Sequence, residues 1–144
     1  MKDIESIITK ENYSICSIGN LDNIKNFSYK HPLLASPIAG KVFAGKALGT
    51  TSMEISFQSL PAREEIHFDH RHRTHEEVYI VLKGKGTFII DNDEIEVSEG
   101  GMVRISPEAK RRWKNPNDEE LIVMTIQAVH NTLVNYTVFD GYAE

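Results

Sequence analysis

From residue 41 onward the chain is a succession of short strand-like runs separated by turn residues, and this rhythm restricts the fold more than any other feature. The run MEISFQSL alternates cleanly, with Met53, Ile55 and Phe57 on one face and Glu54, Ser56 and Gln58 on the other. The polar face could line a cavity or simply meet water, and water is the ordinary explanation. VYIVL, residues 78–82, is a continuous β-branched and aromatic run of the kind found in a strand covered on both sides. It meets a turn signal at Lys83-Gly84-Lys85-Gly86, and the chain resumes as TFIID. Asp91-Asn92-Asp93 and Glu99-Gly100-Gly101 supply two further turns around the short strand Ile95-Glu96-Val97. MVRIS then runs to Pro107, which has no N–H for a central ladder and ends the strand. RRWKN and LIVMTIQAV form the next pair, and TLVNYTVF, residues 132–139, is expected to close the chain as a last strand. Such spacing implies an all-β antiparallel sandwich or barrel.

The opening segment reads differently. Asn20 to Phe27 has the pattern of a capped helical turn, and Ile4, Ile7 and Ile8 suggest another. Residues 1–40 therefore form a short irregular or helical extension, and residues 1–144 a single domain with no internal repeat or low-complexity linker. A formal net charge of −5 gives no reason to expect a nucleic-acid partner. The basic triplet Lys110-Arg111-Arg112 is flanked by Glu108 and the acidic run Asp118 to Glu120. One cysteine, Cys16, excludes an intramolecular disulfide and a Cys-based zinc cage, and its neighbours Ile15 and Ile18 suggest a small buried residue. No apolar run has the length of a signal peptide or a bilayer span, so a cytoplasmic protein without a membrane partner is expected.

Chemistry concentrates in HFDHRHRTHEEVYIVLKG, which holds four of the six histidines. His70 and His72 are two residues apart, so on an extended strand their imidazoles share a face, and Glu77 follows on the returning segment. His67 has the opposite parity to His70 and should face away, while His75 is expected to be exposed in the turn before Glu76-Glu77. With Glu77 inward, Tyr79 and Val81 share its face and Glu76 points out. Tyr79 could offer its hydroxyl to a ligand or be a wall residue satisfied by a neighbour. Gln127 lies near the end of a strand beside the same pocket.

These residues resemble the motifs of the cupin superfamily, a double-stranded β-barrel or jelly roll. His70, His72, Glu77 and Gly84 fit every interval of the first motif, although Glu64 stands where that motif normally begins with glycine. Gly101, Pro107 and Asn115 fit the second motif, so the resemblance covers residues 60–127. The second motif's histidine, the usual fourth metal ligand, is absent: no histidine lies between Pro107 and Asn115. Counting forward from Pro107 puts Arg112 in its place, and counting back from Asn115 puts Arg111 there. Strand alternation favours Arg111, because that phase turns Trp113 inward and leaves Arg112 and Lys114 in water.

Two readings fit this set. His70, His72 and Glu77 could hold one divalent transition metal (Fe, Mn, Ni or Zn), with open positions for water or substrate. Arg111 opposes this, since a unit charge about 6 Å from a dication costs roughly 5 kcal/mol at an effective dielectric near 20. Alternatively Arg111 pairs with Glu77 across the barrel mouth and no metal is needed. The resemblance implies a small-molecule-binding protein, with Arg111, Tyr79 and Gln127 as substrate-binding candidates. It could be a metal-dependent enzyme acting on a small polar anion such as a sugar derivative or a keto or carboxylic acid. The alternatives are a metal-free isomerase or epimerase using His70 or His72 as base, and a non-catalytic ligand-binding or sensing module. The resemblance also implies a homodimer, using strand edges, swapped N-terminal segments and residues 41–60.

Overall fold

A computed structural model of the protein describes residues 4–135 and 137–144. In chain order its elements begin with β1 (Ser6–Thr9), β2 (Ser14–Cys16), a 3-10 turn (Leu21–Asn26), β3 (Ser28–Tyr29), β4 (Ile38–Ala39), β5 (Lys41–Phe43) and the one-turn helix α1 (Gly45–Leu48). There follow β6 (Met53–Leu60), β7 (His75–Lys83), β8 (Lys85–Ile90), β9 (Asp93–Ser98) and β10 (Met102–Ile105). The last elements are β11 (Arg111–Lys114), β12 (Leu121–Val129) and the one-turn helix α2 (Thr137–Asp140). Two antiparallel sheets form the body of an all-β jelly roll: one of order β10-β7-β12-β6-β5, the other of order β11-β8-β9.

The strand pattern sets the interior. Leu60, Tyr79, Val81, Phe88, Ile105, Trp113, Leu121 and Val123 form one buried cluster between the sheets. Its aromatic members meet edge-on at Tyr79–Phe88, 5.5 Å between centroids, and stacked at Phe88–Trp113, 6.1 Å. Register then grades the interior from apolar to polar along the strands. Leu121 lies opposite Leu60, Thr125 opposite Ser56 and Tyr79, and Gln127 opposite Glu54 and Glu77. One end is therefore a sealed hydrophobic floor and the other a polar mouth.

This grading decides the orientation of β6 in favour of the cavity-lining alternative. Ser56 and Gln58 are buried, not solvated, because they face the polar half of the interior. Met53, Ile55 and Phe57 look outward instead, in rows that continue across the sheet through Met124 and Ile80 to Met102, and through Ile126 to Val78. At the β5 end this outer face is packed by the 3-10 turn, where Ile24 and Phe27 are buried. Toward the other end Met53 and Met102 stay exposed. Val78, Ile80 and Leu82 are accordingly only half-buried, so VYIVL is fully covered on its inner face alone.

Three further expectations are corrected. Ile7 and Ile8 belong to a strand of the β1–β2 hairpin, where β-branched residues pair across an exposed ribbon, and not to a helical turn. Cys16 lies in that ribbon and is only half-buried, because the hairpin stands outside the main core. The segment 132–139 is not a strand: residues 132–135 are irregular and Thr137–Asp140 is helical, while Tyr136 lies outside the described residues. With β12 flanked by β7 and β6, its two edges are filled and cannot accept another strand.

The turn at Gly84 is constrained by space as well as conformation. Its φ is +81°, and a Cβ there would sit 2.7 Å from the Glu120 carbonyl oxygen. Gly100 has the same φ of +81° but open space around it. In urea unfolding, Gly84→Ala should lose about 2–3 kcal/mol and Gly100→Ala only about 1 kcal/mol. Equal losses would show that the close approach at Gly84 contributes nothing.

Candidate functional site

The polar mouth is built around Glu77, whose side chain is 2% exposed. Alternation along β7 turns it inward with Tyr79 and Val81 and sends Glu76 out to Arg104, 2.7 Å away. Oε2 of Glu77 accepts the Tyr79 hydroxyl at 2.6 Å, and Oε1 accepts the Gln127 amide at 2.8 Å. Tyr79 is thus a wall residue satisfied by its neighbour, and Gln127 reaches the site from β12. His72 Nε2 lies 3.1 Å from Oε1, Arg111 Nε 3.2 Å from Oε2 and His70 Nε2 3.8 Å from Oε2. Burial opposes the charge on Glu77, but the imidazoles of His70 and His72 and the Tyr79 hydroxyl outweigh it and hold the carboxyl well below its usual range. Burial, reinforced by the Glu77 charge, pushes the Tyr79 hydroxyl well above its usual pKa, so it stays a donor.

The backbone fixes the two histidines. His70 exchanges two hydrogen bonds with Arg111, N to O at 3.1 Å and O to N at 3.0 Å, and His72 N donates to the Pro107 carbonyl at 3.0 Å. His67 points into solvent, 77% exposed, as its parity requires. His75 is not in an exposed turn: it opens β7 opposite Val129, half-buried, and stacks on His72 at 6.3 Å between centroids. It stands outside the group formed by His70, His72 and Glu77, in which one donor atom from each lies within 4.8 Å of the others.

Arg111 and Trp113 face inward, 1% and 4% exposed, while Arg112 turns outward to Glu65 and Asp69. Arg111 is not among the residues that line the cavity, and it faces Glu77 as one of the two expected arrangements has it. Its Nη1 donates to the carbonyls of Pro107 at 3.2 Å and Ala109 at 2.9 Å, and Nη2 to Ser106 at 3.2 Å. The guanidinium is used up in pinning the β10–β11 loop and facing Glu77. Among the described residues, three buried side-chain nitrogens lack a hydrogen-bond partner, and all three belong to residues that face Glu77: His70 Nδ1, His72 Nε2 and Arg111 Nε. The short contact of Arg111 with Glu77 therefore lies off the hydrogen-bond direction and acts through charge, while His72 faces the same carboxylate with its Nε2 unpartnered.

A family model for the cupin domain matches residues 56–127, a span that includes His70, His72, Glu77, Tyr79, Arg111 and Gln127. The chain belongs to the cupin family. A cupin protein from Bacteroides fragilis shares 32% identity and a TM-score of 0.70, over 81% of this chain and 97% of that one. A putative sugar phosphate isomerase from Acidithiobacillus ferrooxidans shares 27% identity and a TM-score of 0.54, over 61% of this chain and 58% of that one. An uncharacterised protein from Methanocaldococcus jannaschii is 33% identical over 55 residues, 38% of this chain. This cupin spans only 44% of that relative's length.

In this cupin the cavity in front of Glu77 has a volume of about 380 Å³. His70, His72, Glu77, Tyr79, Gln127 and Gln58 contribute to its wall, joined by Lys41 and Tyr29 from the N-terminal part. Lys41 is a cavity residue that sequence reasoning missed. Its strand is only three residues long, and nothing in its spacing relates it to the histidine motif. Burial brings its pKa down to about 8, against the attraction of Glu77 and Glu54. Its ammonium donates to Ser56 Oγ at 3.0 Å and lies 5.0 Å from the centre of the Phe43 ring.

The pairing of two charges this deep carries a direct consequence. Arg111→Met should lower the unfolding free energy by about 3–5 kcal/mol, because it leaves Glu77 buried without its cation. Arg111→Lys should recover only part of this, lacking the fork that holds three carbonyls. A loss below about 1 kcal/mol for Arg111→Met in urea unfolding would contradict the assignment.

Proposed function

We propose that the protein binds a small anionic molecule, a sugar derivative or a keto or carboxylic acid, at one divalent transition metal held by His70, His72 and Glu77. The observation that carries this reading is that one donor atom from each of His70, His72 and Glu77 lies within 4.8 Å of the others, with a buried nitrogen left unpartnered on each histidine. Two nitrogen donors and one carboxylate are a ligand set suited to Fe(II), Mn(II), Ni(II) or Zn(II). When bound, such an ion supplies Lewis acidity toward a ligand oxygen. Tyr79 and Gln127 keep Glu77 oriented by donating to one oxygen each. Arg111 keeps the β10–β11 loop and the His70 backbone in place.

Charge decides the ligand class. Glu77 offsets Arg111, so a dication would leave the site with a net charge near +2, which favours an anion. The putative sugar phosphate isomerase from Acidithiobacillus ferrooxidans, a relative of the chain, agrees with an anionic sugar derivative. The competing reading, a ligand-binding module without metal, uses Arg111 as the sole counter-charge to Glu77. The half-exposed apolar rows on the outer sheet face further support a homodimer, formed by residues 53–57 with Met102 and Ile126.

Elemental analysis of untagged protein should give about one transition metal per chain. The double variant His70→Ala with His72→Ala should have none, and Arg111→His should hold the metal at least about tenfold more tightly, by adding a donor and removing a charge. Light scattering on the same samples should give twice the 16.3 kDa chain mass. Metal-free wild type, or equal metal in the double variant, would contradict the metal reading. A monomer would contradict the dimer alone.

A further inference from the structure

Lys41 is a cation at the cavity wall that forms no ion pair with a carboxylate among the described residues. Its one hydrogen bond goes to Ser56 Oγ, a neutral acceptor 3.0 Å away. The carboxylates that act on it from a distance, Glu54 and Glu77, are both engaged elsewhere. Glu54 Oε1 accepts the backbone N–H groups of Gly45 at 2.7 Å and Ile55 at 3.0 Å. Glu77 takes up Tyr79 and Gln127 and faces Arg111. A desolvated ammonium is costly unless an anion or acceptors complete its shell, and here only one of its three N–H groups is used.

Position makes this cation useful. Lys41 lies opposite Gln58 in the β5–β6 register, and both border the cavity that His70, His72 and Glu77 line. The Phe43 ring beneath the ammonium, itself packed edge-on to Tyr29 at 4.7 Å between centroids, limits where the side chain can go. Arg111, the other deeply placed cation, is spent on backbone carbonyls.

We propose that Lys41 is the residue that recognises the anionic group of the ligand, a carboxylate or a phosphate, across the cavity from the His70, His72 and Glu77 set. The assignment deepens the anion-binding reading above and does not depend on a metal being present. With or without metal, the cavity carries excess positive charge once Glu77 is matched with Arg111. Lys41 also borders a neighbouring cavity of about 320 Å³ that includes Lys46. The two cavities differ in a testable way, because Gln58 and Gln127 line only the one in front of Glu77.

The test titrates the full chain with inorganic phosphate and, separately, with acetate, following the side-chain amide signals of Gln58 and Gln127 by NMR. Wild type should shift both amides with one of the probes, and the tighter probe identifies the group as phosphate-like or carboxylate-like. Lys41→Met should weaken that binding at least about tenfold, Lys41→Arg should retain most of it, and Lys46→Met should leave it unchanged. Thermal melts and metal content of each variant accompany the titration. Lys41→Met should melt at or above wild type and keep the wild-type metal content. Binding through Lys41 in metal-free protein would sustain this inference while refuting the metal. The inference is overturned if wild type shifts neither amide with either probe, if Lys41→Met binds like wild type, if the loss follows Lys46→Met instead, or if Lys41→Met loses its metal or its fold.

Discussion

A single carboxylate, Glu77, ionised in an almost fully buried position, organises the upper half of this molecule. Moving such a charge out of water costs several kcal/mol, so it must be matched on every side. Arg111 supplies the opposite charge, Tyr79 and Gln127 supply hydrogen bonds, and His70 and His72 close the remaining directions. Five side chains from β7, β11, β12 and the loop before β7 thereby converge on one group. The convergence ties the five-stranded sheet to the three-stranded one at the mouth, where the hydrophobic cluster no longer reaches.

The remainder of the barrel makes that concentration tolerable. Leu60, Leu121, Val81 and Val123 close the floor, with Phe88 and Trp113 stacked on each other in the same cluster. Polar layers at Ser56, Gln58 and Thr125 lie between floor and mouth, and their burial is what allows the cavity to be polar without opening the core. Lys41 is stationed at the same level as these layers, on the short edge strand of the sheet.

The sequence made the grouping of His70, His72 and Glu77 and most of the strands legible because their signals are local. His70, His72 and Glu77 have fixed spacing, Gly84 and Gly101 mark turns, and Trp113 chooses the phase that buries Arg111. The orientation of β6 was not legible. An alternating strand shows that its two faces differ, but not that the polar face meets a cavity and the apolar face meets the outside. That depends on β7 and β12, whose inward residues Tyr79, Thr125, Glu77 and Gln127 are themselves polar at this level. For the same reason the sequence left Arg111 open between ligand clamp and partner of Glu77: alternation turned it inward but could not show the carbonyls of Ser106, Pro107 and Ala109 that it holds. Lys41 was missed because what marks it, a place at the cavity wall with no carboxylate partner among the described residues, is visible only in three dimensions.

Whether Glu77 acts as a metal ligand as well as an electrostatic hub is best answered by anomalous X-ray diffraction from crystals of untagged protein. The account predicts a peak with one nitrogen from each of His70 and His72 and a Glu77 oxygen at about 2.0–2.2 Å, beside an Arg111 still held by the β10–β11 loop. A map with no peak there, and with both imidazoles hydrogen-bonded to protein groups or water around a Glu77–Arg111 pair, would contradict it.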